Sequence, residues 1–286
     1  MMKPILYKRT YRCGETELTL GARTLIMGIL NVTPDSFSDG GLWDEPKRAA
    51  EHALQMAADG ADIIDIGGES TRPGHEPVSL EEELARVLPV IESIHRAAPH
   101  LPLSVDTYKA EVARQALAAG AHLINDVWGC KADPLMAAVA AEAECPIIIM
   151  HNRHDRRYTD LIPDMIADLQ ESVNLALEAG VKPYNIILDP GIGFAKDYHE
   201  NLQAMMSLDS LHALDYPLLL GTSRKKFIRT VLDLPPNDVV EGTAATVAFG
   251  IAQGCQIVRV HDVAKIKRTV AMCDAMLYAA ALRVQG

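Results

Sequence analysis

Short apolar runs alternate with longer amphipathic stretches along almost the whole chain. The runs occupy residues 25–30, 62–66, 101–105, 122–124, 146–150, 185–188, 217–220 and 255–260, and each is bounded by a polar cluster. Runs of this length and setting predict eight short strands. Between them, Ala- and Glu-rich segments at 47–59, 80–97, 110–119, 163–179 and 263–281 carry a helical period. Residues 237–253 predict an extra helix before the last strand. Gly60, Gly120, Gly180 and Gly254 stand where helices should end, which suits a left-handed C-terminal cap.

Strands that alternate with helices pair in parallel through right-handed crossovers. In a chain of 286 residues, closure into a (β/α)₈ TIM barrel is the expected solution, and a doubly wound open sheet is the alternative. Residues 1–20 stand outside the repeat. Strand-like halves flank Cys13-Gly14-Glu15 there, which predicts an N-terminal hairpin closing the barrel bottom, with the barrel itself at 24–280. No low-complexity linker interrupts the pattern, so the whole chain, 1–286, reads as one α/β domain.

Composition narrows the function. Hydrophobic residues make up 49% and charged residues 23%, enough to build a core and too apolar for disorder. A net charge of −11 opposes nonspecific nucleic-acid binding, which requires a basic surface. It does not oppose an anionic small molecule, for which a few local cations suffice. The five cysteines are widely spaced, odd in number and lack a Cys-x-x-Cys pair; they read as buried free thiols in a reducing compartment. Lys3, Lys8 and Arg9 precede no apolar leader segment, and no apolar run approaches the ~18 residues of a membrane span. A cytoplasmic protein without membrane or nucleic-acid partners is expected.

The chemistry collects just past the apolar runs. In order these positions carry Asn31, Asp35 and Asp39; Glu69, Thr71 and Arg72; Asp106 and Thr107; Asn125 and Asp126; His151 and Asn152; Asp189; Ser223, Arg224 and Lys225; and Arg259 and His261. Barrel enzymes place their catalytic groups on this face. Taken singly, several have plainer explanations. Asp106 or Asp126 would cap the next helix, and Asp189-Pro190-Gly191 would be a turn. His151 and His154 lack a third metal ligand and read as loop polar groups; Arg153, Arg156 and Arg157 read as a solvated loop. Gly191-Ile192-Gly193 lacks the setting of a dinucleotide fingerprint, and no Walker sequence occurs. The loops at 31–41 and 67–74 read as mobile lids. Arg259, His261 and a helix start at Asp262 suit an anion.

These segments carry a resemblance. NVTPDSFSDGG at 31–41 and GADIIDIGGESTRPG at 60–74 are long and specific, and VDT at 105–107, IND at 124–126, MHN at 150–152, LDPGIGF at 188–194, SRK at 223–225 and RVHD at 259–262 follow in order. Over residues 24–280 the sequence resembles the dihydropteroate synthases, pterin-binding enzymes of the folate pathway that sulfonamides inhibit. The resemblance implies a transferase that joins p-aminobenzoate to dihydropterin-CH₂-pyrophosphate and releases pyrophosphate. It implies pterin contacts from Asp106, Asn125, Met150, Asp189, Phe194 and Lys225. It implies pyrophosphate contacts from Asn31, Thr71, Arg72, Arg259 and His261, with Asn31 also helping to hold Mg²⁺. It implies a p-aminobenzoate pocket of Phe37, Thr71, Arg72, Pro73, Lys225 and Lys226. Asp39, Arg72 and Lys225 are the implied catalytic groups: pyrophosphate leaves first, Asp39 and its lid neighbours stabilise the pterin methylene cation, and the amine attacks. A homodimer is also implied.

Two positions depart from the family pattern. Lys226 stands where many relatives have Ser, which exchanges a directed hydroxyl contact for a point charge. Ala195 stands where glycine is frequent. A methyltetrahydrofolate-using methyltransferase and a catalytically silent pterin-binding relative are the alternatives. The first needs neither the two loop signatures nor a pyrophosphate site; intact Asp39, Arg72 and Arg259 oppose the second.

Overall fold

A computed structural model of the chain describes residues 4–32, 45–69 and 77–282. Two strands, β1 (Arg9–Cys13) and β2 (Thr16–Leu20), form an antiparallel hairpin. Eight further strands close a parallel barrel: β3 (Leu25–Asn31), β4 (Ile63–Gly67), β5 (Leu103–Asp106), β6 (Leu123–Asp126), β7 (Ile147–Met150), β8 (Ile186–Asp189), β9 (Leu218–Leu220) and β10 (Cys255–Val260). They neighbour one another in chain order, and β10 pairs with β3 to complete the circle. An open sheet is thereby excluded. Helices α1 (Glu45–Asp59), α2 (Leu80–Ala97), α3 (Ala110–Ala118), α4 (Met136–Glu142), α5 (Leu161–Glu178), α6 (Tyr198–Met206), α7 (Lys226–Leu232), α8 (Val240–Ala252) and α9 (Val263–Leu282) lie between and after the strands. No helix among the described residues is long and apolar enough to cross a membrane.

Most boundaries follow the sequence pattern. The strand expected at 101–105 begins two residues late, at Leu103. Pro102 has no N–H for the ladder, and its carbonyl instead accepts from Ile64 N–H at 3.0 Å. Helices α4 and α7 have only 7 residues each. An apolar stripe of two turns is too short to declare a period.

The strand period of two divides the core in two. Side chains facing outward, among them Ile26, Ile64, Ile66, Val105, Ile124, Ile149, Leu188, Leu220, Val258 and Val260, pack against the helices in one large cluster. Side chains facing inward form a separate cluster: Leu25, Met27, Ile63, Leu123, Ile148, Ile187, Leu219 and Ile257. Tyr11, Cys13, Leu18 and Leu20 of the hairpin belong to that inner cluster. The hairpin therefore plugs the bottom of the barrel, as expected.

Polar contacts hold the plug in place. Gln256 accepts from Tyr7 N–H at 2.8 Å and donates to the Tyr7 carbonyl at 2.9 Å, standing in for a strand partner. Arg9 donates to the carbonyls of Pro183, Tyr184 and Ile186 at the entrance to β8. All five cysteines are buried free thiols.

The plug separates its two faces energetically. Leu20 is 1% exposed, whereas its neighbour Thr19 faces solvent. Leu20→Ala is expected to lower the unfolding free energy by about 2–5 kcal/mol, and Thr19→Ala by less than about 0.5 kcal/mol, in urea titrations. Equal losses would contradict the inward-facing plug.

Candidate active site

The site is built by moving two residues toward the C-terminal end of six of the eight barrel strands. From the apolar layer, Ile63 leads to Asp65, Leu123 to Asn125, Ile148 to Met150, Ile187 to Asp189 and Ile257 to Arg259. On β5 the corresponding step runs from buried Ser104 to Asp106. The same alternation that packs the barrel floor thus places a polar layer directly above it. Asp106 lies in register with Asn125, and Met150 with Asp189.

Arg259 ties this layer together. Its Nε donates to Asp65 Oδ2 at 2.6 Å and its Nη2 to Asp106 Oδ2 at 2.7 Å. Asn125 Nδ2 donates to the same Asp65 oxygen at 2.9 Å. The second oxygens of Asp65 and Asp106 are buried and have no hydrogen-bond partner among the described residues. Burial pushes the Asp106 carboxyl above the usual carboxylate range; Arg259 opposes this, and the charges of Asp65 and Glu83 add to it. An unpaired buried acceptor is costly in the empty site and becomes useful when a ligand brings a donor.

Asp189 lies across the mouth. Its Oδ1 accepts from Gly191 N–H at 2.7 Å. Lys225 places its ammonium 4.1 Å from the Phe194 ring centroid, a cation–π contact. Gly193 makes this possible: a Cβ there would stand 2.8 Å from Lys225 Cδ. Around the rim, His261 N–H donates to Ser223 Oγ at 3.2 Å, and its Nδ1 lies 3.0 Å from the same oxygen. Arg224 pairs with Asp262 through two bonds, at 3.1 and 2.9 Å, joining the β9 and β10 exits at the start of α9.

The residues implied from sequence divide into three groups. Asp106, Asn125, Met150, Asp189, Phe194, Lys225, Arg259 and His261 all lie at the C-terminal face. Arg259, expected to face pyrophosphate, is held within the polar layer by two carboxylates. Asn31 ends β3 on the same face, half-buried, and Lys226 is exposed at the first position of α7. Phe37, Asp39, Thr71, Arg72 and Pro73 lie outside the described residues.

The plainer readings also resolve. Asp126 is a turn cap, accepting from Trp128 and Cys130 N–H at 2.8 and 2.6 Å, whereas Asp106 reaches Arg259. His151 is not a loop polar group. It is 1% exposed and lies between Asp168 and Lys196; the ordered loop packs its ring inward. Asp65 and Lys196 were missed. A carboxylate inside the apolar run IIDIG was the available signal for Asp65, because a buried charge needs partners. Lys196 carried no comparable signal.

Comparison with known proteins places this geometry. The profile of the pterin binding enzyme family matches residues 27–261. The dihydropteroate synthase of Bacillus subtilis (strain 168) is 62% identical over 260 residues, covering 91% of each chain. The structure of Xanthomonas albilineans dihydropteroate synthase in complex with 7,8-dihydropteroate is 39% identical, with a TM-score of 0.86, and covers 93% of this chain and 98% of that one. The Yersinia pestis enzyme in a sulfonamide drug complex is 40% identical, with a TM-score of 0.86, and covers 94% and 99%.

The chain belongs to the dihydropteroate synthase family. The buried carboxylates of the site make stability depend on pH. Burial raises the Asp189 carboxyl to about 6, against the Gly191 N–H bond and the charges of Lys225 and Arg259. An unfolded Asp titrates near ~3.9. Between these values the folded chain binds more protons than the unfolded one. The contribution of this group to stability is therefore full below pH ~3.9 and is lost as pH rises through about 6. Asp189→Asn retains an oxygen for Gly191 N–H. It is expected to stabilise the ligand-free protein at pH ~8 by about 1–3 kcal/mol and to change little at pH ~4. Urea titrations at both pH values check this; a loss of stability at the higher pH would refute it.

Proposed function

We propose that the chain condenses dihydropterin-CH₂-pyrophosphate with p-aminobenzoate to give dihydropteroate and pyrophosphate. The observation that carries the reading is the polar layer at the barrel mouth, where Asp106 and Asp189 offer carboxylate oxygens beside Asn125. The pyrimidine edge of a pterin presents adjacent N–H donors, which a buried carboxylate can accept as a pair. Asp189 takes that edge, Asp106 and Asn125 take other ring edges, and Lys225 donates to a ring acceptor. Met150 and Phe194 supply the apolar walls. A site whose buried partners would be left unpaired by the wrong ligand discriminates strongly.

The pyrophosphate lies toward Arg259, His261 and Asn31, with Thr71 and Arg72 from the second loop. The methylene–oxygen bond breaks with its electron pair leaving on pyrophosphate, and the pterin methylene becomes a delocalised cation that Asp39 stabilises. The amine of p-aminobenzoate forms the new carbon–nitrogen bond and then sheds a proton. Its benzoate ring occupies the pocket of Phe37, Thr71, Arg72, Pro73, Lys225 and Lys226, where a sulfonamide would compete. Water must be excluded, because it would capture the same cation.

Magnesium fits a limited role. Asn31 offers one amide oxygen, and among the described residues no group of three or more His, Cys, Asp or Glu gathers around a possible ion. Such a donor set suits Mg²⁺, which binds largely through waters and substrate phosphates. Bound there, it would offset the charge on the departing pyrophosphate. A homodimer fits the apolar side chains exposed on α7, α8 and α9, namely Val231, Leu232, Phe249, Met272 and Met276.

Incubation with both substrates and Mg²⁺ is expected to release pyrophosphate only when p-aminobenzoate is present; no release under those conditions sinks the reading. In calorimetry, Asp189→Ala should weaken pterin binding by about 100-fold, since two bonds to a charged group are lost, and Lys226→Ala by less than about threefold. Equal losses refute the pocket assignment. Arg72→Ala is expected to weaken binding of the pterin pyrophosphate by only about threefold, because Arg259 and His261 remain, while lowering turnover about tenfold or more. Unchanged kcat together with unchanged KM would remove Arg72 from the reaction.

A further inference from the structure

One buried cation stands beside the pterin layer without a role in the reaction as derived above. Lys196 is 7% exposed. Its Nζ lies 2.8 Å from His151 Nδ1, 3.1 Å from the Gly191 carbonyl and 3.2 Å from the Phe194 carbonyl. Three acceptors surround one nitrogen. Only the ammonium form has three N–H donors to meet them, since a neutral amine has two.

This contact also sets the His151 tautomer. With Nδ1 accepting from Lys196, the ring proton resides on Nε2, which donates to Asp168 Oδ2 at 3.1 Å. Burial holds the imidazole well below its usual range, at about 4, so the ring is neutral. Asp168 is further held by Arg153 at 3.6 Å. The chain Asp168–His151–Lys196 thus ends on two backbone carbonyls of one turn.

That turn carries the site. Gly191, with φ +64°, donates its N–H to Asp189 Oδ1 and its carbonyl accepts from Lys196. A Cβ at Gly191 would stand 1.9 Å from the His151 carbonyl oxygen, so the turn lies directly on the exit of β7. His151 N–H donates to the Asp189 carbonyl at 2.8 Å. Phe194, the other carbonyl held by Lys196, supplies the ring under the Lys225 ammonium.

We infer that Lys196, oriented by His151 and Asp168, is a positioning residue that locks the turn at 191–194 and thereby aims the Asp189 carboxylate and the Phe194 ring at the pterin. The inference rests on the pterin assignment of Asp189 made above. Lys196 acts through backbone and touches no reacting atom.

The donor count makes the lock dependent on protonation. Burial lowers the Lys196 ammonium to about 7; Asp189, Glu200 and Asp168 oppose this, and Lys225 adds to it. His151 faces it from the β7 exit, with Lys131 beyond Asp168. As pH rises through this range one of the three donors is lost, and the turn loses one carbonyl contact or its hold on His151.

The test uses the full-length protein and unsubstituted pterin as probe, with calorimetry from pH ~6 to ~9 and the dissociation constant of each variant divided by that of the parent to cancel the ligand's own titration. Lys196→Met, which keeps the length and removes the donors, is expected to weaken pterin binding about tenfold at pH ~6. The ratio should shrink by pH ~9, where the parent keeps only two of its three donors. The KM for p-aminobenzoate at saturating pterin pyrophosphate should stay within about twofold. A ratio that is constant across the range, a ratio below about two at pH ~6, or an equal rise in the p-aminobenzoate KM would overturn the inference.

Asp168→Ala and Asp168→Asn decide the matter if Lys196→Met does not fold, because the Asp168 side chain is 22% exposed, whereas Lys196 is buried. The alanine variant should bind pterin about threefold more weakly, and the asparagine variant, which keeps an acceptor for His151 Nε2–H, should recover parental affinity. Identical affinities in both variants and the parent would overturn the inference. If Asp189→Ala leaves pterin binding intact, the pterin assignment itself fails, a result distinct from failure of the lock.

Discussion

A guanidinium held between two carboxylates inside a closed barrel is the constraint on which the rest of this protein depends. Arg259 spans Asp65 and Asp106, and Asn125 completes the set. Charges in such a place survive only when paired, because desolvation of an isolated ion costs several kcal/mol or more. The barrel supplies the pairing by geometry. Strands β4, β5, β6 and β10 are separated in sequence by helices, yet each delivers one side chain to the same level. The floor beneath that level is apolar and sealed by the hairpin, which keeps the environment of low polarity and makes each polar contact above it count for more.

The same seclusion accounts for the electrostatics of the site. Asp106 and Asp189 both titrate above the usual range because burial outweighs their neighbouring cations. Asp106 keeps one buried oxygen without a hydrogen-bond partner among the described residues, at a cost that a ligand with a matching donor would remove. Function is in this sense stored as incomplete satisfaction. At the strand exits, other charged groups are tied to one another instead. Lys109 bridges Glu69 and Glu83 while Tyr108 donates to Glu69 at 2.8 Å, so the chain leaving β4 is tied down just where the second loop begins. The Lys196 cluster does the same for the chain leaving β8.

Much of the site was legible because polar residues interrupt apolar runs at their C-terminal ends. Asp106, Asn125 and Asp189 were found in that way, and Arg259 from the RVHD segment that ends the last run. Asp65 escaped because it lies inside a run, where a single carboxylate between Ile64 and Ile66 breaks no pattern of length or boundary. His151 was misjudged because its neighbours are polar: Asn152, Arg153 and Asp155 mark a loop, and nothing in their order reveals that one ring turns inward. Asp106 and Asp126 look alike in sequence, each an aspartate ending a strand. Only the direction of the side chain distinguishes an Arg259 partner from a turn cap.

The order of residues by itself determined the alternation of strands and helices and the family, since both depend on local period or on contiguous motifs. What tertiary structure alone decided is which partners meet across the barrel. Arg259 and Asp65 are separated by 194 residues along the chain yet lie 2.6 Å apart. No local preference encodes that distance. It follows from closure of the barrel, in which β10 pairs with β3 and β3 with β4, so that β10 and β4 stand one strand apart.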